Sequence, residues 1–407
     1  MPMRSNSFTR LDIFRGLGQG VLDTGFGVFI ILIAIRFLNA PDYYKAALSG
    51  GGSIGLILTP VLFVLFSKNH LPEAHRCAFY LLGSSVFILL ASFCSTIFLF
   101  TVFLVFAQVS LSQVPNLMIR IYSEVYESGE RGKKISFNLI SSTLGGLISS
   151  FIFGTYLDGD QADFRVVLWG MSSAAMFSCF FVWRMKRQIP TDKKEFSQSF
   201  VPDSLVDPLR DSLFVRILIA WMILGFGAIM TFPLRIEYLS REDQLNLSNQ
   251  EIAVVTVMIF FGAKVLSMFL WGKLFDQMHF MKFRILLNIQ MIIAILVYFN
   301  SSSFIGVVIG SALAGSVMGG ANIAWNLWIT KLAPKGKEGN YMSVHMTLTG
   351  VRGVTAPFLG YLLESQVGFQ GVSYISVGMI FLATVLFATT IKSPRFLSKN
   401  NFEELQS

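Results

Sequence analysis

Asp23, Lys264 and Arg352 are ionisable residues set in stretches that are otherwise apolar or small: GQGVLDTGFG, FFGAKVLSMF and MTLTGVRGVTAPFLGY. A charge at the centre of a bilayer-spanning helix costs about 2.5–3.5 kcal/mol, so such residues face a water-filled cavity or a partner. A carboxyl's proton affinity responds to burial and to neighbouring charge, so Asp23 is suited to take and release a proton. A guanidinium can grip a carboxylate or phosphate through two parallel hydrogen bonds, which makes Arg352 an anion contact. Lys264 offers a point charge for the same purpose. The competing reading is fixed ion pairing of Asp23 with Arg352 or Lys264. His345, nearer a span end, reads as a hydrogen-bonded structural histidine.

Two polar stripes accompany these charges. Gln108, Ser112, Asn116 and Arg120 recur every four residues and share one helix face. Asn322, Trp325 and Asn326 cluster in GGANIAWNLWI. Amides and an indole can hydrogen-bond and stack a small polar solute, although interhelical amide bonding is the alternative. Arg15, Gln19 and Asp23 also share a face. No catalytic constellation and no phosphate-binding GK[ST] sequence is present. Cys77, Cys94 and Cys179 lack metal-ligand spacing. No enzyme activity, metal or cofactor is therefore expected.

The elements that must position these residues follow from composition. Hydrophobic residues make up 53% of the 407 and charged residues only 14%, with mean hydropathy +0.61. A soluble domain carries nearer a quarter charged residues, roughly, so the chain reads as an integral membrane protein. A bilayer core of about 30 Å needs about 20 apolar residues in helix. Apolar runs predict twelve transmembrane helices at 13–35, 46–66, 77–95, 98–119, 136–156, 166–184, 213–235, 251–271, 282–299, 304–328, 341–363 and 373–391. The N-terminal run lacks a cleavable-signal pattern and is expected to begin the first span. With the N-terminus inside, 24 of the 32 Lys and Arg fall on the inner side and five outside, which predicts cytoplasmic termini. This distribution accounts for the net charge of +8, and without a basic, aromatic-interleaved face nucleic-acid binding is excluded. The polar, proline-bearing stretch 185–212 predicts a cytoplasmic linker between an N-terminal bundle, 1–184, and a C-terminal bundle, 213–407.

The halves align at a fixed offset of 207 residues. It pairs Gly18 with Gly225, Gly20 with Gly227, Thr24 with Thr231, Gly55 with Gly262, Gly146 with Gly353 and Phe151 with Phe358. A shift of six spans preserves helix direction, as in a parallel repeat about the membrane normal. The expected fold is all-α, twelve helices in two parallel-repeat six-helix bundles.

This architecture resembles the major facilitator superfamily. The family's loop after the second span of each half is matched in the second half by GKLFDQMHFMKFR, with Gly272 and Asp276 as its cytoplasmic gating motif. Gln277 stands where a basic residue is usual, and the first half, LFSKNHLPEAHR, has neither glycine nor aspartate. The resemblance implies a central cavity lined by the first, fourth, seventh and tenth helices and alternating access by rocking of two halves. The expected function is secondary transport of a small solute, with Asp23 coupling it to protons. Substrate contacts are expected from Arg352, Lys264, Asn116, Gln108, Asn322, Trp325 and Asn326. The excess of interior cations favours an organic anion. The alternatives are a proton-antiporting exporter of drugs or amphipathic metabolites and a receptor of the same fold that moves nothing. A multi-pass location in the cell (inner or plasma) membrane, action as a monomer, and a small molecule, protons and the lipid bilayer as partners complete the expectation.

Overall fold

The computed structural model describes residues 2–67, 72–127, 130–185, 206–334, 337–393 and 395. The described residues are helical or in short connections, with no strand. That follows from the solvent: in hydrocarbon a helix satisfies its backbone groups internally.

The helices in chain order are α1 (Pro2–Thr24), α2 (Ile30–Arg36), α3 (Asp42–Ser67), α4 (Glu73–Ser92), α5 (Ile97–Leu111), α6 (Val114–Val125), α7 (Arg131–Leu157), α8 (Phe164–Met185), α9 (Val206–Arg210), α10 (Ser212–Ile229), α11 (Thr231–Ser240), α12 (Asn249–Ala253), α13 (Phe260–Gln277), α14 (Phe280–Phe299), α15 (Phe304–Leu332) and α16 (Glu338–Ala388). Among the described residues, ten stretches are long and apolar enough to cross a membrane. One of them, Gly339–Ala388, carries two expected spans. It is broken at Gly368, whose φ of 69° and ψ of 176° belong to no helix and are open to glycine alone without strain. The expected span 46–66 falls on the 26-residue α3.

Local chemistry sets several ends. Thr96 caps α5 through Leu99 N–H, Ser303 caps α15 through Gly306 N–H, and Ser248 with Glu251 forms a reciprocal capping box on α12. Asp211 caps α10 through the N–H groups of Leu213 and Phe214. Its carboxyl is partly buried, which opposes ionisation. Hydrogen bonds from Arg395, Phe214 N–H and Tyr341 outweigh that and hold it below the usual carboxylate range. Two stretches are π-helical: Gly25–Phe29, joining α1 to α2, and Val254–Ile259, joining α12 to α13.

The chain forms two compact units, Met1–Phe196 with Leu239–Val257, and Ser197–Tyr238 with Met258–Ser407. In the first, α1 packs against α7 and α8, α4 against α8, and α5 against α3. The α1–α7 seam is glycine-dependent. A Cβ on Gly145 would run into the Leu17 backbone, and one on Gly20 into the backbone of Ser142 and Gly146. In the second unit, α10 packs on α16, α13 and α14 on α15, and α14 on α16. Large apolar side chains project outward, Leu266 and Phe269 being more than three-quarters exposed. The buried positions meanwhile include Ser84, Ser85, Ser149, Ser178, Asn288, Ser373 and Ser376. Apolar outside and polar-flecked inside is the pattern of a protein whose solvent is lipid.

Candidate functional site

The expected site residues divide between the units: Asp23, Gln108 and Asn116 in the first, and Lys264, Gly272, Asp276, Asn322, Trp325 and Arg352 in the second. Asn326 lies on α15, but its side chain is outside the described residues.

Asp23 is the penultimate residue of α1, immediately before Thr24 and the π-helical turn, and is exposed. Gln19, one turn earlier, donates Nε2–H to its Oδ1 at 2.7 Å. Such π-helical turns occur frequently at functional positions. The third member of that face, Arg15, is committed elsewhere. It is buried and bonds Asp12 through Nε at 2.8 Å and the Tyr122 hydroxyl through Nη2 at 3.0 Å. Tyr122 in turn donates to Asp12 Oδ2 at 2.8 Å. Asn138 donates to Asp12 Oδ1 at 3.2 Å and to its carbonyl at 2.7 Å. Asp12 is thus the buried acceptor at which α1, α6 and α7 meet. Sequence reasoning did not single it out, because its near neighbour Arg10 made the segment look like a basic flank.

On α5, Gln108 is buried and spans to α3, donating to the Leu48 carbonyl at 2.8 Å and accepting from Gly52 N–H at 3.1 Å. Asn116, on α6, is half-buried. Gln113, between α5 and α6, donates to the Gly55 carbonyl at 2.9 Å. Pro115, in the first turn of α6, lacks the donor that would continue a single helix here.

In the second unit Lys264 is half-buried on α13, its ammonium 5.4 Å from the centre of the Phe261 ring, within cation–π range. Asn322 and Trp325 are half-buried on α15. Trp325 lies 5.7 Å from His345, centre to centre. Asp276 is exposed at the end of α13, and no atom comes within 4 Å of where a Cβ on Gly272 would sit.

Arg352 is buried at 6% exposure. Its Nη1 donates to the Trp221 carbonyl at 2.7 Å, and its guanidinium occupies the space a Cβ on Gly225 would fill. Glycine at 225 is therefore a condition for the arginine's placement. His345 sits 6.0 Å from Trp221 and 5.0 Å from Trp328, centre to centre. Arg284 lies 4.7 Å above the Trp221 ring. Sequence reasoning brought Arg352 and His345 forward but missed Arg284, Trp221 and Trp328. Arg284 stands near a span end and was counted as a topology charge. The buried Arg235 and Glu237 of α11 were also missed, since the predicted span ended at 235 while the apolar stretch continues to Ser240.

Residues 239–405 match the Major Facilitator Superfamily. No curated protein sequence matches the chain. Among solved structures, the nucleoside transporter NupG is similar at a TM-score of 0.77 and 13% identity, over 96% of this chain and 99% of that one. The D-xylose-proton symporter is similar at 0.70 and 14%, over 97% and 98%. The peptide transporter POT in complex with sulfate is similar at 0.72 and 11%, over 94% of each chain. The Major Facilitator Superfamily match thus covers residues 239–405, and the chain shares the fold of these solved transporters over nearly its whole length.

Proposed function

We propose that the protein is a secondary active transporter that moves a small organic anion by alternating access between two six-helix bundles, twelve spans in all, with both termini cytoplasmic. Protons bound and released at Asp23 drive it. The observation that carries this reading is an exposed carboxylate on a membrane-crossing helix, beside a π-helical turn and hydrogen-bonded by the neutral Gln19. A charge in that setting is costly unless water reaches it, and a hydrated carboxylate on a transport path is a natural proton carrier. In the second unit Lys264, Asn322 and Trp325, each half-buried, are suited to hold the solute, the ammonium meeting its negative group, and in the first unit half-buried Asn116 is suited to contact it. Gln108 and Arg352 act within their own units, the one fixing α5 to α3 and the other fixing α16 to α10.

The test is counterflow in proteoliposomes, with substrates first chosen by thermal-shift screening of anionic, neutral and cationic metabolites. For the anion that stabilises the protein, an inward proton gradient is expected to accelerate net uptake. Asp23→Asn is expected to abolish gradient-driven uptake while leaving exchange at equal concentrations largely intact. Proton-driven uptake that survives Asp23→Asn removes Asp23 from the mechanism. Stabilisation by amphipathic cations alone replaces the anion reading with the exporter.

A further inference from the structure

We propose that the second unit holds a small monovalent anion, of halide or formate size, in a sealed site between Arg284 and Arg352. This is an ion that belongs to the bundle rather than the solute it moves.

The site is built by four helices. Arg284 is on α14, Arg352 and His345 on α16, Trp221 on α10 and Trp328 on α15; none is more than 6% exposed. Both guanidinium groups converge on Trp221, one above its ring at 4.7 Å and one on its carbonyl at 2.7 Å. Arg284 spends Nε and Nη2 on the Asn288 side-chain oxygen, at 2.9 and 2.7 Å. Asn288 passes its own amide hydrogen to Thr384 at 3.0 Å. After these bonds the cluster is left with a surplus of donors, its one spare acceptor being a ring nitrogen of His345. Arg284 Nη1, Arg352 Nε, Trp221 Nε1 and Trp328 Nε1 are all buried without a hydrogen-bond partner, as are both ring nitrogens of His345. No carboxylate among the described residues forms an ion pair with either arginine. The acidic group bonded to an element of this cluster, Asp211, is engaged by Arg395 and Tyr341 at the start of α10.

Two permanent cations in an apolar bundle cannot discharge themselves, because a guanidinium does not lose its proton in proteins. An uncompensated buried charge costs several kcal/mol. An unmet buried N–H adds its own desolvation penalty. One small monovalent anion would offset one of the two charges and accept from several of the unmet N–H groups at once. Indole N–H groups and guanidinium forks are suited to an ion that gives up its water readily.

The first unit supplies an internal comparison. The offset of 207 residues places Asn138 at His345 and Cys77 at Arg284. In the first unit the acceptor in this region is covalent: Asp12 receives Arg15, Tyr122 and Asn138. The same offset puts Ile219 at Asp12. The second unit has cations at two positions, Arg284 for Cys77 and Arg352 for Gly145, and lacks both members of the Asp12–Arg15 pair, with Ile219 and Met222 in their places. The missing negative charge is the ion.

The experiment uses the full-length protein in detergent, with gluconate as the reference anion at constant ionic strength. Chloride, bromide, nitrate and formate are the probes. Saturable stabilisation is expected, a rise in Tm of about 3 °C at concentrations well above Kd. Quenching of tryptophan fluorescence by bromide should saturate over the same range. Crystals grown in bromide should show an anomalous peak beside Arg284 and Arg352. Arg284→Met is expected to fold and to lose the response at least tenfold in anion concentration, and Arg352→Gln to do the same. The wild-type responses stand even if a variant is lost to misfolding. An unresponsive wild type, a response without anion selectivity, or a bromide peak elsewhere overturns the proposal. So does stabilisation confined to organic anions the protein also transports, which would make the cluster part of the solute site. Because Asp23→Asn and Lys264→Met leave this cluster untouched, their retained halide response separates a failure of the transport reading from a failure of this one.

Discussion

Asp12 and Arg15 show what a buried charge requires in this protein. Their pairing is closed by Tyr122 and Asn138, so neither residue is left with an unmet charge. Removing one member of such a pair leaves the other uncompensated, which costs about 3–5 kcal/mol. Asp12→Ala is therefore expected to destabilise the protein by that amount in thermal unfolding. Asp12→Leu combined with Arg15→Met should recover most of the loss. Equal destabilisation by the single and double variants would refute the pairing. At this scale legibility depended on position along a helix. Arg352 and Asp23 were visible because apolar sequence surrounds them on both sides. Asp12, Arg284 and Glu237 lie within a few turns of a helix end, where charge is cheap and residue type alone does not tell interior from interface. Which nitrogen lacks an acceptor is a property of packing, and no residue spacing encodes it.

Helix seams explain the glycines that sequence comparison could only pair. Gly145 and Gly20 let α1 and α7 approach until backbone meets backbone, and Gly225 yields its side-chain space to Arg352. Gly262, matched to Gly55 by the same offset, has nothing within 4 Å of a Cβ. Gly145→Ala is expected to cost about 1–3 kcal/mol by overpacking. Gly262→Ala should be neutral or slightly stabilising, since alanine favours helix over glycine by up to about 1 kcal/mol. Thermal melts of the two variants side by side check this, and a tolerated Gly145→Ala would contradict the seam. Helix existence was legible because long apolar runs leave few alternatives in lipid. The π-helical turns at Gly25–Phe29 and Val254–Ile259 were not, for they add one residue to a turn without changing composition. Nor was the merged α16, since the φ of Gly368 leaves no mark on hydropathy.

For the whole molecule, sequence and contact divide the chain differently. The basic stretch marks one boundary at 185–212, yet Leu239–Val257 belongs with the first unit. Asp158 holds it there, accepting from the backbone N–H groups of Asn249 and Gln250 at 2.7 and 2.9 Å. A carboxylate at a helix start is favoured by the helix dipole. Arg36 adds a bond of 2.6 Å to the Asn249 side chain and bonds to the carbonyls of Leu247 and Ser240. Asn249 returns one to the Leu157 carbonyl at 2.9 Å. If the chain is cut within residues 186–205, the two fragments are expected to purify together. Asp158→Ala with Arg36→Ala should reduce that recovery about tenfold, the loss of roughly 1.4 kcal/mol. Recovery unchanged by the double substitution would show the attachment to be elsewhere. No sequence pattern announced it, because every contact joins residues more than 80 positions apart.

The lodging of Leu239–Val257 bears on how motion in this protein would be watched. A fluorophore or spin label on exposed Glu242 would, by its place in the chain, be assigned to the C-terminal bundle. It would ride on the N-terminal one. On the proposed alternating-access cycle, a pairing with a label on α4 should report a nearly constant distance and a pairing with one on α14 a changing distance, the reverse of what its residue number suggests.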